Sequence, residues 1–152
     1  MISDITFRNL KAECESAMAE TLTHCDGCDL CGLRCSSGVP CTLEEWDGVK
    51  DFINAADELT RAKISCVARQ DKTLSLGDDV SVQMCRYRDM ESGGCVVYPA
   101  RPLICRLLGH VPWMPCPVDK VPHTIPVEKS VELMRSYSEF ERNTFEQWEE
   151  KE

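Results

Sequence analysis

The sequence predicts a small α-rich α+β fold, a single domain over residues 1–152 with a minor β-hairpin, organised around cysteine-ligated metal. Three observations predict it. Apolar residues recur at helical spacing over residues 3–23, from residue 42 to Leu59, and from Val127 onward. One stretch, "TLSLGDDVSVQM", alternates about a Gly-Asp-Asp turn and reads as a hairpin. The chain also carries 11 cysteines, well above ordinary usage, four of them within "CDGCDLCGLRC" at residues 25–35.

Each element has its own local reason. Over residues 3–23 a stripe of Phe7, Leu10, Cys14, Ala17, Met18 and Thr21 forms at 3.6 residues per turn, which puts Cys14 on the buried face as a small hydrophobe. Thr42 and Glu45 have the spacing of a capping box. The helix they start is expected to bury Trp46, Val49, Phe52, Ile53, Ala56 and Leu59. Cys41 just before it faces Trp46 as a hydrophobic staple does, so Cys41 reads as packing. Cys66, in the apolar "ISCVA", reads as core filling.

After the hairpin, the turn "ESGG" leads into the β-branched run "CVVY". "PARPLICRLLG" reads as a short helix started by proline and ended by Gly109. Five prolines between residues 111 and 126 make a connection without periodicity. The closing stretch, read as one helix over 127–150 that packs on the rest, offers Val131, Met134, Tyr137, Phe140, Phe145 and Trp148 on one wide face, with a solvated Glu-rich tip.

Composition excludes several classes of function. The net charge of −9 opposes non-specific attraction to nucleic-acid phosphates or to acidic membranes. No apolar run approaches the roughly 18 residues that span a bilayer. The N-terminal "MISDITFRNLKAE" lacks a hydrophobic signal region, so a cytoplasmic location is expected. An odd cysteine number in a reducing compartment argues against a disulfide framework and for metal.

With Cys14, Cys41 and Cys66 set aside, eight cysteines remain: Cys25, Cys28, Cys31, Cys35, Cys85, Cys95, Cys105 and Cys116. Eight thiols make two sets of four, and both tetrahedral zinc and a cubane iron–sulfur cluster take four. The first run has C-x2-C-x2-C-x3-C spacing, as in bacterial ferredoxins, with Ser36 where proline is usual. Tight spacing lets a loop wrap three sulfurs round one face of a cluster, its amides turned inward. The fourth sulfur of such runs often serves another cluster, so Cys35 can join the dispersed set while one of that set closes the first site. The same knuckles can hold zinc. The dispersed set comes from separate elements, so its site exists only in the folded chain. Arg86, Arg101 and Arg106 lie close to Cys85 or Cys105 in sequence, where cations would compensate thiolate charge; surface ion pairing is the plainer reading of them.

These motifs resemble the YkgJ-like cysteine-cluster family, described as a zinc- or iron-chelating domain. Its second segment, G-x-C-x-x-Y-x-x-RP-x-x-CR, is matched in "GGCVVYPARPLICR" at Gly93, Cys95, Tyr98, Arg101, Pro102, Cys105 and Arg106. The likeness covers about residues 22–118; it departs where the family often has adjacent cysteines and this chain spreads the last to Cys35. It implies a chelated metal held by the same eight cysteines, without specifying a reaction.

Three functions are therefore weighed. The preferred one is an iron–sulfur protein, 4Fe-4S rather than another cluster, that transfers electrons or delivers cluster or metal to a partner protein; an acidic surface suits a basic partner. The alternative is a structural zinc adaptor, with the apolar face near Phe145 and Trp148 as a docking surface. Independent catalysis is not expected: His24, His110 and His123 are the only histidines, and none lies in a catalytic signature.

Overall fold

In the computed structural model, residues 4–19, 35–121 and 123–152 are described. Helix α1 (Asp4–Met18) comes first. It buries Phe7, Leu10, Cys14 and Met18 along one stripe, because those positions fall on one face at helical spacing. The expected extension to residue 23 lies outside the described residues. Helix α2 (Leu43–Ala55) starts at the Thr42 capping box, in which Glu45 N–H donates to Thr42 Oγ and Thr42 N–H donates back to the Glu45 carboxylate. It buries Trp46 and Val49.

Here the structure corrects the sequence reading. The helix stops at Ala55, and Asp57 caps a separate helix α3 (Glu58–Ala68) by accepting from Thr60 N–H at 2.7 Å. The new cap changes the register. Leu59, expected in the core, is 83% exposed. Cys66 is exposed too, while Ile64 and Val67 face inward.

The hairpin forms as expected, from β1 (Thr73–Gly77) and antiparallel β2 (Val80–Gln83). Asp79 adopts a left-handed φ of 60° at the turn, a conformation that Asp tolerates better than most side chains. The "CVVY" run is no strand. Tyr98–Ala100 instead form a 3-10 turn that leads to α4 (Leu103–Leu107). The proline-rich connection holds a second small antiparallel pair, β3 (His110–Val111) with β4 (Met114–Pro115). Gly109 precedes it at φ +90°.

The closing stretch also divides, into α5 (Val127–Ser138) and α6 (Phe145–Glu150). A second capping box, Thr144 with Gln147, starts α6. The Glu-rich tip is not simply solvated, because Glu152 accepts from Trp46 Nε1 at 3.0 Å. Phe145 and Trp148, offered above as a docking face, are buried.

Two apolar clusters hold this single α+β domain together. One joins α1, α4, α5 and the β3 strand through Leu10, Met18, Leu103, Leu107, Val111, Leu133 and Tyr137. The other joins α2, α3 and α6 through Trp46, Val49, Ile64, Trp148 and Phe145, with Tyr87 and Val97. Among the described residues no helix is long and apolar enough to cross a membrane.

Candidate metal centre

Backbone pairing and helix α4 bring four cysteines from distant positions to the walls of one cavity. Cys85 N–H donates to the Cys35 carbonyl, and Ser37 N–H to the Gln83 carbonyl, each at 2.9 Å. Those bonds flank the Ser36–Met84 bridge and set Cys35 beside Cys85. The chain then folds back. Val96 N–H donates to the Tyr87 carbonyl at 2.9 Å and Asp89 N–H to Gly94 at 2.8 Å, around an Arg88–Cys95 bridge. This return brings Cys95 alongside, and α4 supplies Cys105.

Cys35, Cys85, Cys95 and Cys105 all line one cavity of about 230 Å³. Its other described walls are mostly apolar, with Tyr87, Val97, Phe145 and Met114 among them, and Arg101 is the one charged side chain among the described residues that line it. Among the described residues no histidine or carboxylate lines it. Cys35 donates a hydrogen bond to the Cys85 sulfur, which pushes the Cys35 thiol up and the Cys85 thiol down. Burial, then the thiolates of Cys85 and Cys95, push Cys105 up to about 12, and the Arg101 cation opposes them. Arg101 stacks its guanidinium 3.6 Å from the centre of the Tyr98 ring and donates to the Tyr98 carbonyl at 3.0 Å.

The other two arginines are committed elsewhere. Arg86 pairs with Glu146 and Glu149, and Arg106 with Glu15 at 3.0 Å. Surface ion pairing, the plainer reading, therefore describes those two and not Arg101. Lys72 donates to the Arg88 carbonyl at 2.6 Å and adds a second cation near Cys85 and Cys35.

Cys116 does not line this cavity. Desolvation is the largest influence on its thiol and raises it, but backbone N–H groups of Lys120, Val118, Val121 and Asp119 directed at the sulfur bring it below the usual range. The Lys120 contact is 3.4 Å. Such a ring of amides is a stabilising environment for a thiolate. Cys25, Cys28 and Cys31 lie outside the described residues, as does His24. Cys14 and Cys41 are buried in the apolar clusters, as their spacing suggests. His110 is buried and His123 exposed.

Among the described residues, no three cysteine, histidine or carboxylate side chains converge closely enough to share a single ion. The residue that sequence reasoning missed is Glu45. Beyond its capping role, its carboxylate accepts from the Tyr137 hydroxyl at 2.5 Å and from Leu103 N–H at the start of α4. Nothing local could have signalled those partners, which are 92 and 58 residues away. No family model, curated protein or solved structure matches the chain.

Proposed function

We propose that this is an iron–sulfur protein whose Cys35, Cys85, Cys95 and Cys105 hold a 4Fe-4S cluster, serving electron transfer or cluster delivery to a partner protein in the cytoplasm. One observation carries the reading: four thiols from four separate segments face a single cavity. The donor set fits. All-thiolate ligation without nitrogen or oxygen suits iron–sulfur clusters and zinc, and disfavours hard cations. The ferredoxin-like spacing of Cys25, Cys28, Cys31 and Cys35 favours the cluster over zinc. The resemblance of "GGCVVYPARPLICR" to a zinc- or iron-chelating family supports a bound metal without choosing between the two.

A bound cluster would supply one-electron redox chemistry. The chain's own part is to hold four sulfurs, wall them with apolar side chains and set the Arg101 cation beside them. Cys116, standing apart with its own amide cradle, is then left as the fourth sulfur for Cys25, Cys28 and Cys31 in a second centre. That half of the proposal rests on spacing and on the count of eight.

Anaerobic purification followed by iron, sulfide and zinc analysis tests the reading. A brown protein absorbing at roughly 400 nm, with equal iron and sulfide, is expected. A colourless protein with stoichiometric zinc would replace it with the structural zinc adaptor. A folded chain that takes up neither would refute both.

A further inference from the structure

We propose that Glu45 is a positioning residue for the Cys105 thiol, acting through the first turn of α4; this rests on the cavity reading above and deepens it. The carboxylate serves two tasks with two oxygens. Oε1 completes the capping box, accepting from Thr42 N–H at 3.0 Å, and also takes the Tyr137 hydroxyl. Oε2 accepts from the backbone N–H of Leu103.

That last bond caps α4 from another helix. Pro102 stands at the N-cap of α4 and offers no side-chain cap of its own. Five residues are too few to hold a helix by themselves, so the setting of this turn comes from outside it. Leu103 and Leu107 pack into the core on one side, and Glu45 fixes the amino end. Cys105 lies two residues beyond the Glu45 contact. Arg101, which donates to the Cys105 carbonyl at 3.5 Å, spans the same turn. Glu45 thereby links α2, α5 and the helix that carries one of the four cavity sulfurs.

A purely structural carboxylate would make a different prediction, and substitutions can separate the two. Glu45→Gln keeps an acceptor for Thr42 and Tyr137 but turns an amide N–H₂ toward the Leu103 N–H, donor against donor. Thr42→Ala weakens the capping box and leaves the Leu103 bond intact. In the metal-free full chain, iodoacetamide labelling read by peptide mass spectrometry gives the rate at each cysteine. Glu45→Gln should raise the Cys105 rate about tenfold, the factor expected for losing one hydrogen bond to a charged group, with Cys14 unchanged. Thr42→Ala should leave Cys105 within about twofold of the parent chain. Equal rates at Cys105 in all three proteins, or equal rises in both variants, overturn the proposal.

Should Glu45→Gln fail to fold, Glu45→Asp retains the charge at the start of α2 and shortens its reach. It should raise Cys105 labelling in the same way, and an unchanged rate there counts equally against the proposal. A parent chain that takes up no iron and sulfide on anaerobic reconstitution would count against the metal reading, while the labelling rates still decide the role of Glu45.

Discussion

Trp148 sits where two readings of the C-terminal stretch part: docking face or core. The indole is 6% exposed and packs with Trp46, Val49 and Phe145. Its Nε1 donates to the Cys41 carbonyl at 2.8 Å. That carbonyl also accepts from Asn143 N–H at 2.9 Å, so it keeps a partner if the indole is removed. Trp148→Phe should therefore cost one hydrogen bond, about 1 kcal/mol, plus about 1 kcal/mol of lost apolar burial. Trp148→Ala adds a cavity and should cost about 4 kcal/mol. Against a typical total of roughly 5–15 kcal/mol, the second loss is severe. Urea unfolding reads both: at a slope near 2 kcal/mol per molar, the midpoints should fall by about 1 M and 2 M. A loss below about 0.5 kcal/mol in both variants would mean that α6 is a surface feature, as a docking face requires, and would refute the packing argument.

Other expectations follow from the same geometry. Burial raises the Cys14 thiol to about 11 and the Cys41 thiol to about 12. The folded state therefore binds those protons more tightly than the unfolded chain, and stability should fall as pH rises from about 9 toward 11, by up to roughly 2.7 kcal/mol for Cys14 alone; urea midpoints that stay level between pH 8 and 10.5 would contradict this. Gly109→Ala forces a side chain onto φ +90° and brings its Cβ within 3.4 Å of the Cys116 Cβ. It should destabilise by about 1–2 kcal/mol, read from the thermal midpoint. Arg101→Gln removes the only charged side chain among the described residues lining the cavity and should weaken metal uptake about fivefold, a loss near 1 kcal/mol. Arg106→Gln, whose partner is Glu15, should leave uptake unchanged by competition with a colorimetric chelator.

Local signals in the sequence were read well where one motif decides the outcome. The Thr42–Glu45 box, the Gly-Asp-Asp hairpin and the buried settings of Cys14 and Cys41 are short-range physics. The errors arose where a second start signal lay inside an apolar run. Asp57 caps α3 and Thr144 with Gln147 caps α6. All three residues are visible in the chain, yet the continuing apolar pattern masked them and placed Leu59 and Cys66 on the wrong face. "CVVY" has strand-like composition, but Pro99 and Pro102 draw it into a 3-10 turn and the lead-in to α4.

At the site, four of the eight cysteines chosen by spacing share a cavity. Placement of Cys35 with Cys85, Cys95 and Cys105 was one of two divisions the ferredoxin-like run allowed. Spacing could not choose between them, because the choice is made by the backbone ladder between residues 35–37 and 83–85. Arg101 is marked by its spacing from Cys105, whereas the contacts of Glu45 with Tyr137 and Leu103 depend on tertiary neighbours and left no mark on local pattern.

The most direct test of the four-sulfur centre is metal and sulfide content per chain after anaerobic reconstitution of Cys105→Ser beside Cys14→Ala. Cys105→Ser should lose one centre of two, about half of the iron and sulfide, and Cys14→Ala should hold the full complement. Full retention in Cys105→Ser, or an equal loss in Cys14→Ala, would contradict the account.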